Sequence, residues 1–323
     1  MTINFLEVKN LSTYFFTRRG VVKAVDGVSF HVKKGETFGL VGESGCGKTI
    51  TCLSIMRLVP EPAGRIVGGE IFLEGEDLLK KSEKELVKIR GSKISMILQD
   101  PMTSLNPVFT IGDQLTEAIR IHRFLKGKSL WESAKKILQL VHIASPETCL
   151  TSWPHQLSGG MRQRVVGAIS ISCEPKLLIA DEPTTSLDAT IQVQYLRLLR
   201  EIQEKTDLTL IFITHDFGIV ARMCRRAAVM YAGKIVETAE VREIFNHPAH
   251  PYTQALMKSV PKVEEKVTRL ASIEGQPPPL HHLPPGCIFA PRCSAKKEEC
   301  RPEEYPPMVE IEKGHFVSCW RYI

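Results

Sequence analysis

Apolar and polar positions alternate from Leu6 to Phe16 and again from Ala24 to Val32, a period of two that predicts half-buried strands joined by a turn at Arg18-Arg19-Gly20. Thr37 to Val41 is apolar throughout, and the glycine-rich stretch Gly42 to Thr49 separates it from Ile50 to Leu58, whose spacing suits a helix. Gly68 to Leu73 and Lys93 to Leu98 read as further strands, the second ending at Gln99 with Asp100-Pro101 closing it. From Met102 to about Ser152 the period lengthens. Thr116 to Leu125 and Leu130 to His142 predict helices with few strand signals between them, a helical insertion in an otherwise α/β domain. Pro154 breaks that pattern, and Ser158-Gly159-Gly160 opens a helix over Met161 to Ser172. Two apolar runs, Lys176 to Thr184 and Leu208 to Asp216, fit parallel strands buried on both faces. After Glu240 the chain becomes Pro-rich, in Asn246 to Pro261 and in Gly275 to Cys287, and too irregular to continue a doubly wound sheet.

Composition narrows the class without naming a function. A chain of 323 residues with 43% hydrophobic and 24% charged residues is an ordinary globular chain, long enough for one large α/β domain and a smaller appendage. A net charge of +6 with no dominant basic run reads as a solvated surface rather than a nucleic-acid footprint. No apolar stretch approaches the roughly 18 residues that span a bilayer. The start MTINFLEVKN lacks the features of a secretory signal, so the expectation is a cytosolic protein whose nine cysteines stay reduced.

The first candidate chemistry is GESGCGKT, Gly42 to Thr49, the pattern G-x-x-x-x-G-K-[ST] set between a strand and a helix. Its glycines let successive backbone N–H groups face one anion, and the helix dipole favours negative charge there. Lys48 would reach the β- and γ-phosphates of a nucleotide and Thr49 would join a Mg²⁺ shell. Ser158-Gly159-Gly160 is a second bare helix N-terminus able to hold phosphate. Asp181, at the end of an apolar run, is placed to hold Mg²⁺, and Glu182 to polarise an attacking water; His215 ends the next run toward the same crevice. Among Tyr14, Phe15 and Phe16, one ring could stack on a purine, with core or edge packing the alternative.

Together these residues resemble the ATPase subunit of an ATP-binding-cassette transporter, and more narrowly of the bacterial oligopeptide, dipeptide and nickel importers. GESGCGKT resembles the Walker A loop, with Gly42, Ser44, Gly45, Cys46, Gly47, Lys48 and Thr49 as its nucleotide contacts, and Gln99 resembles the Q-loop glutamine. Leu157 to Met161 resembles the signature motif, Asp181-Glu182 the Walker B pair, Ser186-Leu187-Asp188 the D-loop, and His215 the switch histidine. Departures are Arg225, where the family often has Asp, and Leu98, where it often has an aromatic.

The resemblance implies an ABC-type P-loop NTPase domain over 1–245, with a RecA-like core, an antiparallel β subdomain and a helical subdomain at about 102–172. It further implies catalytic roles for Lys48, Gln99, Glu182 and His215, and Mg²⁺ ligation by Thr49, Gln99 and Asp181. Phe15 aligns best with the aromatic that stacks on adenine, with Tyr14 and Phe16 as rivals. In the family two such domains pack head to tail, so Ser158, Gly159 and Gly160 would act on ATP held by a second cassette, an identical or a related chain; Asp188 is a further implied nucleotide contact. Two transmembrane permease subunits, contacted through the helical subdomain, and indirectly an extracytoplasmic solute-binding protein are the further implied partners. The implied place is the cytoplasmic face of the membrane. The cargo, peptide or nickel, is not readable; a cassette ATPase acting on nucleic acid is the other reading weighed.

Residues 246–323 resemble the C-terminal extension of the peptide-importer branch. They carry Cys287, Cys293, Cys300 and Cys319, spaced C-x5-C-x6-C-x18-C. Four thiols in a tail with little apolar content suggest that a metal organises a small, irregular domain. The spacing matches neither common zinc pairs nor ferredoxin runs. The resemblance favours a [4Fe-4S] cluster, with zinc or no metal as alternatives.

Overall fold

The computed structural model describes residues 4–99, 104–185, 187–259, 273–298, 300 and 303–323. The expectations at Asp100-Pro101, at Met102, at Ser186 and in the stretch around Pro261 lie outside these residues. The chain forms two compact units, one of Met1–Val32, Thr37–Leu79 and Thr214–Ile323, the other of Lys33–Glu36 and Lys80–Ile213.

The first unit begins with β1 (Leu6–Thr17), β2 (Gly20–Val32), β3 (Thr37–Val41), α1 (Lys48–Ile55), β4 (Gly64–Leu73) and β5 (Glu76–Asp77). Four of the strands form an antiparallel sheet in the order β2-β1-β4-β5, with Leu6, Val8, Leu11 and Thr13 turned to its buried face. β2 starts at Gly20, ahead of the expected Ala24, because Thr17 pairs directly with Gly20 across a tight hairpin and its hydroxyl donates to the Gly20 carbonyl at 2.8 Å. β4 likewise starts early, at Gly64. A Cβ there would lie 2.8 Å from both Phe15 Cε1 and the Pro60 carbonyl oxygen, so only glycine lets β4 lie this close to β1.

The second unit holds α2 (Glu83–Ile89), β6 (Ile94–Ile97), α3 (Ile111–Arg123), α4 (Gly127–Leu140), α5 (Pro146–Thr151), α6 (Gly159–Ile171), β7 (Leu177–Asp181), α7 (Ala189–Thr206) and β8 (Thr209–Thr214). β6, β7 and β8 are parallel neighbours, Ile94 beside Leu177 and Leu177 beside Thr209. Every residue of β7 and β8 is buried, the condition that makes a strand read as an unbroken apolar run. α3 begins five residues before the expected Thr116. Thr110 caps it, accepting from the Asp113 N–H while Asp113 accepts from Thr110, a reciprocal pair that fixes the start. α3, α4 and α5 pack together, and Gly112 admits the Trp131 ring, which would sit 2.7 Å from an added Cβ.

The chain then returns to the first unit with α8 (Phe217–Met223), β9 (Arg226–Tyr231), β10 (Lys234–Glu240), α9 (Val241–Asn246), α10 (Pro251–Ser259), β11 (Val309–Glu312) and β12 (His315–Val317). β9 runs parallel to β3, and β10 turns back antiparallel to β9. Against the expectation of an irregular tail, β12 adds to β10 in antiparallel register, Glu237 beside Val317, and β11 pairs with β12. The tail shares the core of this unit: Ile288 and Phe289 pack with Val41, Val229, Tyr231 and Tyr252.

Candidate functional site

The phosphate-type loop follows β3 and ends on α1. Gly42, Gly45 and Gly47 hold φ of 152°, 78° and 108°, and Cβ atoms at Gly42 and Gly47 would lie 2.1 Å from the carbonyl oxygens of Met230 and Ala24. Glycine is therefore imposed at both positions by close backbone approach. Gly47 caps α1 without any side-chain bond and no acid lies in the first turn, so the helix N–H groups stay open to an anion. The Lys48 ammonium is buried and donates to the carbonyls of Gly42 at 2.8 Å and Glu43 at 3.0 Å, bridging the loop from inside. Ser44 and Gly45 are exposed, and Thr49 is half-buried. Burial pushes the Cys46 thiol up despite the neighbouring Lys48, which disfavours a reactive thiolate at this helix start.

The three aromatics of β1 differ in setting. The Tyr14 hydroxyl donates to Asp26 Oδ1 at 2.6 Å, and burial together with that bond pushes its pKa up to about 12. Phe15 packs beside Gly64, and Phe16 is exposed with the Arg65 guanidinium 5.8 Å from its ring centroid.

In the second unit β7 delivers Asp181, 1% exposed, to its C-terminal end. Glu182 follows in a left-handed conformation, φ 43°, strained for a residue with a Cβ. Its N–H donates to the Ile213 carbonyl at 2.9 Å, while its Oε2 accepts from Thr185 Oγ1 at 2.9 Å and from Gln99 Nε2 at 3.2 Å. Gln99, Asp181 and Glu182 are thus brought to one strand end. Ser158 and Gly159 are exposed at the start of α6, where Ser158 Oγ accepts from the Met161 N–H at 3.3 Å, and Asp188 caps α7 through the N–H groups of Thr190 and Ile191. Leu98 is 49% exposed, so its departure from an aromatic disturbs no core.

His215, in the first unit, is exposed directly after β8, ahead of Asp216, which caps α8 by accepting from the Gly218 N–H at 2.7 Å. Arg225 is spent on a surface ion pair with Glu240 at 4.0 Å.

All four tail cysteines line one recess, together with His250, Phe289 and Trp320. Burial pushes the thiols of Cys293 and Cys319 up, and that of Cys287 up to about 11. The recess corresponds to the expected Cys₄ neighbourhood, but the side chains do not converge: among the described residues no group of three or more His, Cys, Asp or Glu side chains could hold a metal ion. The donor set and the apolar walls fit a soft, thiolate-bound metal.

Several site-supporting residues escape sequence reasoning. Gln163, 1% exposed, donates to the Pro183 carbonyl at 2.6 Å and so ties α6 to the turn after Glu182. Tyr252 and Arg292 both bond to Glu43. No local pattern marks them, because their partners lie far away in sequence.

Comparison with known proteins places these features. Residues 25–185 match the family model described as ABC transporter, and residues 236–300 the model described as the oligopeptide/dipeptide transporter C-terminal region. The oligopeptide transport ATP-binding protein AppD of Bacillus subtilis is 49% identical over 317 residues, covering 98% of this chain and 96% of AppD. The dipeptide transport ATP-binding protein DppD of Escherichia coli is 45% identical over 314 residues, covering 97% of this chain and 95% of that one. Among solved structures, the ATP-binding cassette MJ0796, as a post-hydrolysis dimer bound to ADP and Pi, superposes with a TM-score of 0.66 at 25% identity, covering 73% of this chain and 99% of that one.

Proposed function

The chain belongs to the ATP-binding subunits of ABC transporters, in the branch with the oligopeptide/dipeptide C-terminal region, and from that premise we propose that it hydrolyses ATP to drive import of dipeptides or oligopeptides. The observation that carries the reading is end-to-end similarity to oligopeptide and dipeptide transport ATP-binding proteins, extension included.

In this reading the loop Gly42 to Thr49 cradles the triphosphate, Lys48 neutralises charge on its outer phosphates, and Phe15 stacks on adenine. Thr49, Gln99 and Asp181 would hold Mg²⁺, which would supply positive charge against that building on the transferred phosphoryl group. Glu182 orients or deprotonates the attacking water, and its carboxylate, which accepts two hydrogen bonds, supports that role by being fixed before reaction. His215 steadies the γ-phosphate. Ser158, Gly159 and Gly160 complete the site of a second cassette packed head to tail, and Asp188 is a further nucleotide contact. The exposure of the Ser158 helix start supports this assignment, since a phosphate donor turned to solvent is free to meet another chain. The chain sits at the cytoplasmic face of the membrane, where two transmembrane permease subunits, served indirectly by an extracytoplasmic solute-binding protein, convert the closing and opening of the pair into transport. No described helix is long and apolar enough to cross a membrane, which supports separate membrane subunits.

The tail cysteines bind a [4Fe-4S] cluster in this reading, with zinc as the competing metal. Support comes from four thiols lining one apolar-walled recess. The role is structural or regulatory rather than electron transfer, and loading would displace thiol protons, so affinity would fall with falling pH. Anaerobically purified chain that lacks visible thiolate-to-iron absorption and contains zinc would replace iron with zinc. For the transport reading, the test is reconstitution with the co-purifying hydrophobic subunits in vesicles: ATP-dependent peptide uptake is expected, and ATP hydrolysis indifferent to peptide and binding protein would overturn it.

A further inference from the structure

Glu43, the second residue of the phosphate loop, is held from two sides by the C-terminal part of the chain. Its carboxylate accepts a two-pronged bond from Arg292, Nη1 to Oε2 at 2.8 Å and Nη2 to Oε1 at 3.1 Å, and the Arg292 side chain is only 5% exposed. Its backbone N–H donates to the Tyr252 hydroxyl at 2.9 Å. Arg292 is itself fixed, Nε donating to the Glu274 carbonyl at 3.1 Å and Nη1 to the Tyr231 hydroxyl at 3.4 Å. Tyr231, Tyr252 and Phe289 pack ring on ring behind it, with centroids 4.6 to 5.4 Å apart. The carbonyl of Glu43 in turn accepts from Lys48 Nζ.

A carboxylate in a loop that holds a triphosphate is an unfavourable neighbour for it, and an unfixed one would also let the loop wander. Arg292 removes both problems: it pairs the charge and pins the side chain in a fork geometry that Lys could not reproduce. We propose that the C-terminal extension is a clamp on the phosphate loop, with Arg292 the positioning residue that sets nucleotide affinity through Glu43. The next residue, Cys293, lines the cysteine recess, so a change of state there reaches the loop through one residue of backbone. This inference rests on the reading that the loop binds ATP.

The test measures binding of a fluorescent ATP analogue and steady-state kinetics on the full chain. Arg292→Met should weaken ATP binding and raise KM about tenfold with kcat within about twofold, a coupling of ordinary size. Glu43→Gln added to Arg292→Met should recover most of the loss, because the unpaired charge is gone; a merely structural role of Arg292 would lower the thermal midpoint without a rise in KM at unchanged kcat. Arg292→Lys, which keeps the charge and the fold, should show a smaller KM rise of about threefold. Wild-type affinity in Arg292→Met, or a loss that Glu43→Gln does not recover, would overturn the clamp. Should Arg292→Met fail to fold, an unchanged KM in Arg292→Lys would overturn it. If wild type bound no ATP, or Lys48→Ala bound as well as wild type, the nucleotide reading itself would fall instead.

Discussion

Gln99 and Glu182, 83 positions apart, share a hydrogen bond of 3.2 Å at the end of β7, and the same Oε2 of Glu182 takes a second bond from Thr185. The carboxylate is thus aimed from two directions although its backbone is strained at φ 43°. Thr185→Val removes one of the two without touching the phosphate loop. The expected result is a kcat lowered about tenfold, as for loss of one bond worth about 1.5 kcal/mol, with KM for ATP within twofold. Steady-state phosphate release over a range of ATP concentrations measures both.

Where the second cassette is a copy of this chain, the proposed head-to-tail sharing of the site predicts complementation. Ser158→Arg blocks the phosphate-facing helix start while sparing the chain's own loop, and Lys48→Ala does the reverse. Each variant alone should lose hydrolysis, and a mixture should regain part of it, since one composite site per mixed pair is intact. A mixture as inactive as its parents would argue against a site shared between two copies of this chain, and full hydrolysis by Ser158→Arg alone would argue that each chain works alone.

The extension is docked through a buried acid. Glu237, fully buried in β10, accepts from the N–H groups of Ala249 at 2.8 Å and His250 at 2.9 Å and from His315 Nε2 at 2.8 Å. Glu237→Ala leaves three buried donors unanswered and should cost about 3 kcal/mol or more, lowering the thermal midpoint of the unit measured by calorimetry. A midpoint unchanged within error would mean that β12 is held by its backbone bonds alone.

His250 makes that docking pH-dependent. Burial pushes its pKa down to about 4, against Glu237, which raises it, and its Nδ1 accepts from the Tyr252 N–H. The folded value lies below the ordinary value of about 6.5, so the stabilising contribution is complete above pH 6.5 and is lost as pH falls toward 4, by up to about 3 kcal/mol. Denaturant unfolding at several pH values should show this loss, and His250→Asn, which keeps an acceptor but does not titrate, should flatten it.

Chemistry was more legible in the sequence than topology, for a physical reason. β3, β7 and β8 announce themselves because strands buried on both faces need unbroken apolar runs, and the loop Gly42 to Thr49 because backbone carbonyls forbid side chains at Gly42 and Gly47. The first turn of α3 is hidden because its capping acid is Asp113, not the Glu or Gln of the usual pattern. β12 is hidden because it is three residues long and faces a strand with a glutamate inside, a pairing that makes sense only once His315 meets Glu237. The Arg292 to Glu43 bond spans 249 positions, beyond any local pattern. The four tail cysteines share one recess, but among the described residues no group of side chains able to hold a metal is formed.

Single-turnover release of phosphate from MgATP by wild type and Glu182→Gln tests the account most directly. Glu182→Gln should hold ATP as tightly as wild type and release phosphate at least about a hundredfold more slowly, the usual worth of a positioned general base. Release at the wild-type rate would remove Glu182 from the chemistry and contradict the account.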